Sequence, residues 1–491
     1  MNSSTLRQRT GFVMGLLLFA GAWIAPIPEG LTPEAAKTAA VGLLMATWWI
    51  TEAIPISATA LVPLVLFPLL GVSDMSGAAS PYANPLIFLF MGGFMIAQAM
   101  QTWNLHRRIA LGIVRWVGAH PESIIIGFIL ASAFLSMWVS NTATALMMLP
   151  IGLSVIDLTA DRLEDSIESA APHFGLVLVL SIAYACNIGG IATLIGTPPN
   201  ALLAGFMSES YGVEVGFAEW MIIGLPVTVV LLPFVYIVLT RVYPIELDRL
   251  PGGANLIDQE IAKLGDVSAA EQRVGVVFVV TALLWITRPL LTNVIPALSD
   301  AGIAMGAALA LFVIPSGTGS RALLSWPDAE GLPWGILILF GGGLSLASQI
   351  SNTGLAAWIG SGVSALSGWP VLGLLVATVT LIVVLTEITS NTATTAAFLP
   401  ILGAVAIGVG ESPFLLAVPA ALGASCAFML PVATPPNAII YGSGLLSIPQ
   451  MSRVGVWLNG LSIVLISLLA YVLMGVAFGV EIGVLPPWAA D

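Results

Sequence analysis

Charge is scarce in this sequence. Asp, Glu, Lys and Arg together make up 8% of its 491 residues, against roughly 25% in a soluble globular protein, so an ordinary water-facing surface is excluded. Cysteine is scarcer still, and both Cys186 and Cys426 lie inside apolar runs, where they read as small core residues and not as a disulfide. The 3 histidines, His106, His120 and His173, show no metal-ligand spacing and read as interfacial residues. No His-Glu-x-x-His pattern and no Gly-x-Ser-x-Gly elbow occurs, which leaves an intramembrane enzyme without a nucleophile and base or a metal cluster. Enzyme activity, an organic cofactor and a nucleic-acid partner are not expected.

What is abundant is apolar length. Hydrophobic residues make up 58% of the chain and the mean hydropathy is +1.01. Apolar runs near residues 12–27, 36–50, 54–72, 85–100, 174–195, 218–240, 274–291, 299–315, 332–350, 412–432 and 454–478 approach or reach the ~20 residues that cross about 30 Å of hydrocarbon. Helices satisfy their own backbone in lipid, so the fold class is an all-α polytopic membrane protein of about eleven transmembrane helices. The first run follows Arg7 and Arg9 as a signal peptide would, but no small-residue cleavage site follows it, and it reads as a span.

The net charge of −12 says little in a membrane protein; the placement of basic residues says more. With the N-terminus inside, twelve of the 14 Lys and Arg residues fall in inner segments and only Lys37 and Arg288 fall outside. That places the N-terminus in the cytoplasm and the acidic tail, 479–491, in the periplasm of a bacterial inner membrane.

An internal repeat is visible by eye. Phe90-Met91-Gly92-Gly93 is echoed by Phe340-Gly341-Gly342-Gly343, Ser140-Asn141-Thr142-Ala143-Thr144 by Ser390-Asn391-Thr392-Ala393-Thr394, and Pro150 by Pro400, each 250 residues on. Thr197-Pro198-Pro199-Asn200 and Thr434-Pro435-Pro436-Asn437 form a further pair 237 residues apart. Four motifs in one order define two halves, 36–240 and 274–478, preceded by an N-terminal span in 1–35 and joined by a polar cytoplasmic linker, 241–273, that carries Pro251-Gly252-Gly253. Each half holds five spans and one hairpin, and an odd number inverts the second half relative to the first, with the site expected where they meet.

The polar triplets sit within apolar stretches, about 121–158 and 368–408. Two half-helices meeting at each triplet satisfy the chain better than a straight helix, so both stretches read as re-entrant hairpins, with Ser and Asn as good N-caps and Thr able to begin the second half-helix. Thr197 and Thr434 read likewise as N-caps, with Pro198 and Pro435 starting new half-helices. Converging helix N-termini offer free amides and partial positive charge, a site for an anion. No Lys or Arg lies beside these motifs, so a dianion would lack a side-chain counterion; bound cations held by carbonyl, Ser and Asn oxygens could supply the missing charge, and sodium suits such ligands. Glu52 and Glu387 are the acids expected at membrane depth; neither has a counterpart in the other half, and both are assigned structural roles.

Taken together, Trp48-Trp49-Ile50-Thr51-Glu52-Ala53-Ile54-Pro55, Ser136-Met137-Trp138-Val139-Ser140-Asn141-Thr142-Ala143-Thr144, Thr386-Glu387-Ile388-Thr389-Ser390-Asn391-Thr392 and both Thr-Pro-Pro-Asn motifs resemble the divalent anion/sodium symporter family, over nearly the whole chain. The resemblance implies a homodimer with scaffold and transport domains that works as an elevator, importing a small C4-dicarboxylate such as succinate, fumarate or malate with co-transported sodium. It implies a first sodium site at Ser136, Ser140, Asn141 and the Gly196 backbone. A second would use Thr386, Thr389, Asn391 and the Ala433 backbone. Substrate carboxylates would meet Ser140, Asn141, Thr142, Thr197 and Pro198 from one half, and Ser390, Asn391, Thr392, Thr434 and Pro435 from the other. Thr389 stands where bacterial members often carry a small residue, and Thr197 where some carry Ser. Within the family an exchanger remains an alternative to a symporter, and outside it an anion channel, which would pass substrate without concentrating it.

Overall fold

A computed structural model of the chain describes residues 3–118, 120–162, 173–245, 247, 253–317, 319, 321–362 and 368–490. The described residues are almost entirely helical, and their only extended pairing is an isolated bridge between Pro315 and Ala322. Pro251 and Gly252 of the expected linker lie outside the described residues, and the linker's described part contains a helix, Gly253–Lys263.

Local chemistry sets many of the helix ends. Pro33–Thr51 starts at Thr32, whose hydroxyl accepts the Ala35 amide, with Pro33 at the first turn. It ends at Glu52, held in the left-handed region at φ 50° with its N–H on the Trp48 carbonyl. Ser268 and Ser299 cap Ala269–Leu291 and Asp300–Val313 in the same way as Thr32.

Among the described residues, seven helices are long and apolar enough to cross a membrane, and they sort by surroundings. Phe174–Ile191 is wholly buried and packs against Pro121–Ser136, Asn141–Arg162, Phe217–Val242 and Pro435–Tyr441. Ala269–Leu291 and Ile448–Phe478 bury only 22% and 33% of their apolar windows, leaving the rest of their apolar surface for lipid. Several expected spans contain shorter helices. The run at 412–432 holds Pro413–Ala424 and then unwinds, and the run at 299–315 holds the fourteen-residue Asp300–Val313.

The glycine pairs of the repeat have a packing purpose. A Cβ on Gly92 would lie 2.7 Å from the backbone of Ala304, and one on Gly342 would lie 2.3 Å from the Ala60 carbonyl. The same position in each half thus admits a neighbouring backbone, and the Phe90 and Phe340 rings beside them meet edge to face at 5.1 Å.

Candidate functional site

Both hairpin stretches break at their triplets. Pro121–Ser136 gives way to Asn141–Arg162, and Val371–Thr386 to Asn391–Gly408. Ser140 and Ser390 occupy the cap positions and the asparagines begin the helices; Ser140 Oγ accepts the Ala143 amide at 3.3 Å. The Thr-Pro-Pro-Asn motifs break the chain again, with Pro198–Tyr211 and Pro435–Tyr441 starting directly after Thr197 and Thr434.

These four breaks meet at one cavity of about 410 Å³. Ser140, Asn141, Thr142, Thr197 and Pro198 line it from the first half, and Ser390, Asn391, Thr392, Thr434 and Pro435 from the second. All ten residues expected to face substrate are therefore brought together. Gly196 and Ala433 line the same cavity, while Ser136, Thr386 and Thr389 are buried and do not line it. No lining residue is Lys, Arg or His, so positive potential at the wall comes from helix starts and amides. Asn141–Arg162, Pro198–Tyr211 and Asn391–Gly408 are long enough to carry a dipole; the seven-residue Pro435–Tyr441 contributes mainly the Thr434 hydroxyl.

Oxygen atoms cluster around the asparagine at each of the two triplet breaks. The Asn141 amide is satisfied with its nitrogen toward Ser136 Oγ at 2.6 Å and toward the carbonyls of Gly196 and Cys186, both at 3.2 Å, where an amide oxygen would face only acceptors. In the second half Thr386 Oγ1 lies 2.6 Å from Asn391 Oδ1 and 2.9 Å from the Ala424 carbonyl, so one hydroxyl proton serves two acceptors. Thr389 turns its hydroxyl to the Leu385 carbonyl and to Thr394 Oγ1, leaving only its backbone to face a ligand.

The unwound turns are braced by residues whose role was only partly legible in the sequence. Asn200 Nδ2 donates to the carbonyls of Gly190 at 3.0 Å and Thr193 at 2.7 Å, and Asn437 Nδ2 to those of Ala427 at 2.9 Å and Leu430 at 3.1 Å. The two sets correspond at the 237-residue spacing, so the last residue of each Thr-Pro-Pro-Asn motif holds the turn that precedes it. Glu387 has the structural role expected of it. Its carboxylate accepts the amides of Phe428 at 2.7 Å, Met429 at 3.0 Å and Leu430 at 3.1 Å, and Asn459 Nδ2 at 2.7 Å. Glu52 pairs with Arg7 at 3.3 Å and also lines the cavity, its one acidic wall residue. Asn187 is a lining residue the repeat pattern does not point to; its signal is a primary amide inside a predominantly apolar run. Ile56, Phe94, Ile195, Ile336, Leu339 and Val432 supply apolar wall.

A helical membrane protein with broken helices meeting around a cavity lined from both halves is a transporter by class. The family model described as the sodium:sulfate symporter transmembrane region matches residues 7–484. The chain belongs to that family, the divalent anion/sodium symporters, and is a transporter and not an enzyme. The sodium-dependent dicarboxylate transporter SdcS from a bovine strain of Staphylococcus aureus is 46% identical over 482 residues, covering 97% of this chain and 93% of the relative. SdcS from strain USA300 is 45% identical over the same share of both chains. Among solved structures, the YdaH transporter of Alcanivorax borkumensis has a TM-score of 0.59 at 14% identity, covering 89% of this chain and 99% of that one. The efflux pump MtrF of Neisseria gonorrhoeae has a TM-score of 0.58 at 13% identity, covering 96% and 94%. These two share the fold.

Proposed function

We propose that this transporter imports C4-dicarboxylates, such as succinate, fumarate or malate, coupled to inward sodium flow. The observation that carries the reading is a cavity walled by Ser, Asn and Thr groups from both halves with no basic side chain. A dianion there lacks a protein counterion, and Ser, Thr and backbone carbonyl oxygens cluster around Asn141 and Asn391, which line the cavity. Oxygen ligands of this kind suit sodium. Two sodium ions, one at Ser136, Ser140, Asn141 and the Gly196 carbonyl and one at Thr386, Thr389, Asn391 and the Ala433 carbonyl, would neutralise a dicarboxylate held above them. Coupling follows, because neither charge is stable there alone. The naming of the SdcS relatives as sodium-dependent dicarboxylate transporters supports the same reading.

The remaining parts belong to this proposal. The halves are inverted repeats with re-entrant hairpins at 121–158 and 368–408. A transport domain slides against a scaffold as an elevator, the working unit is a homodimer, and the setting is a bacterial inner membrane with the N-terminus cytoplasmic and the C-terminus periplasmic. Purified protein in liposomes is expected to accumulate labelled succinate against its gradient only with sodium outside. Uptake indifferent to sodium but driven by internal dicarboxylate makes the protein an exchanger, and dissipation to equal concentrations makes it a channel. An Asn141→Ala, Asn391→Ala double variant is expected to lose the sodium-dependent thermal shift with succinate.

A further inference from the structure

We propose that Asn187 is a positioning residue that fixes the Thr434 hydroxyl as a donor into the cavity, so that this end of the cavity holds a preset donor for a substrate carboxylate oxygen. The inference rests on the dicarboxylate reading above and deepens it, since it makes the two ends of the substrate unequal.

The polarity follows from a chain of hydrogen bonds. Asn437 Nδ2 donates to the carbonyls of Ala427 and Leu430, which settles its amide orientation and leaves Oδ1 as an acceptor. Asn187, 1% exposed, must then turn its nitrogen toward Asn437, and Nδ2 lies 3.2 Å from Asn437 Oδ1. The second proton of Nδ2 goes to Thr434 Oγ1 at 3.0 Å. Thr434 Oγ1 also accepts the Asn437 backbone amide at 3.3 Å. A hydroxyl oxygen has two lone pairs and one proton. Both acceptor positions of Thr434 are filled, so its proton has one use left, to donate to whatever occupies the cavity it lines. A substrate carboxylate oxygen is an acceptor for that proton.

The first half lacks this relay. At the 237-residue spacing the counterpart of Asn187 is Ala424. Asn200 Oδ1, the counterpart of the Asn437 oxygen, has no hydrogen-bond partner, and the Thr197 side chain makes no capping bond. Thr197 can therefore turn its hydroxyl either way. The Thr434 end presents a fixed donor, while the hydroxyl at the Thr197 end can donate or accept.

The test is a cycle of variants in proteoliposomes, read as succinate KM, maximal rate and sodium half-saturation, with thermal unfolding alongside. Asn187→Ala is expected to raise succinate KM about tenfold, the loss of one hydrogen bond to a charged group, with maximal rate and sodium half-saturation within about twofold of the parent. Thr434→Val raises KM at least as much, and adding Asn187→Ala to it costs nothing further. In Thr434→Ser, which keeps the hydroxyl, Asn187→Ala raises KM again. Asn187→Leu replaces the alanine variant if the smaller side chain fails to fold. An unchanged KM, or effects of Asn187→Ala and Thr434→Val that simply add, would overturn the proposal. Failure of both Asn187 variants to fold would make the residue structural and overturn it too. Parent protein that takes up no succinate with sodium would overturn the dicarboxylate reading and this inference with it.

Discussion

Glu387 illustrates how a single side chain can hold irregular backbone inside a membrane. The turn after Ala424 exposes amides that no helix satisfies, and three of them, with Asn459, converge on one carboxylate. Unpaired backbone groups are costly away from water, so the acid is retained where a charge would otherwise be expensive. Glutamine keeps the shape but presents an amide nitrogen where an acceptor is required. Glu387→Gln is expected to destabilise the fold by about 2 kcal/mol, seen as a lower midpoint in detergent unfolding; an unchanged midpoint would show that the turn holds itself. The first half manages without the acid because Thr193 Oγ1 reaches back to the Met137 carbonyl and Asn200 holds three carbonyls of its turn. That difference was hidden in the sequence, where Glu387 had only an apolar setting and no named partners.

Among the elements, the helix breaks were the most legible feature. Serine before asparagine in an apolar run, and threonine before paired prolines, carry their meaning locally through capping and the missing amide of proline, and the four breaks fall at those motifs. Helix approach was legible only as repeated glycine. What each glycine faces, Ala304 for Gly92 and Ala60 for Gly342, depends on elements far away in the chain. Gly92→Val would force a side chain into the Ala304 backbone and is expected to cost roughly 1–3 kcal/mol. Gly112→Val, at a helix position with open space around its Cβ, serves as its control in the same unfolding assay.

For the molecule as a whole, Arg7, expected on the inner side, and Glu52, expected at membrane depth, form an ion pair, and because each is 45% exposed its contribution to stability is small. Its value is positional, since it ties the N-terminal helix to the cavity wall that Glu52 lines. The orientation is open to a direct check. Cys186 and Cys426 are free and buried, so an introduced thiol can be read against a silent background. Gln8→Cys is expected to react with a membrane-impermeant maleimide only from the cytoplasmic face, and Val484→Cys only from the periplasmic face. Labelling of both from one side would contradict the predicted topology.

The sequence by itself determined the membrane setting, the repeated motifs, the places where helices break and the ten polar and proline positions that line the cavity. Those are consequences of composition, spacing and capping, which act within a few residues. Only the tertiary structure decided what each polar group does. Asn187 meets Thr434, Glu387 meets the turn at Phe428 to Leu430, and Asn141 lies beside the Cys186 and Gly196 carbonyls. A hydrogen bond takes its direction from every group in reach, and those groups are brought together by packing across the halves and not by neighbourhood in the chain.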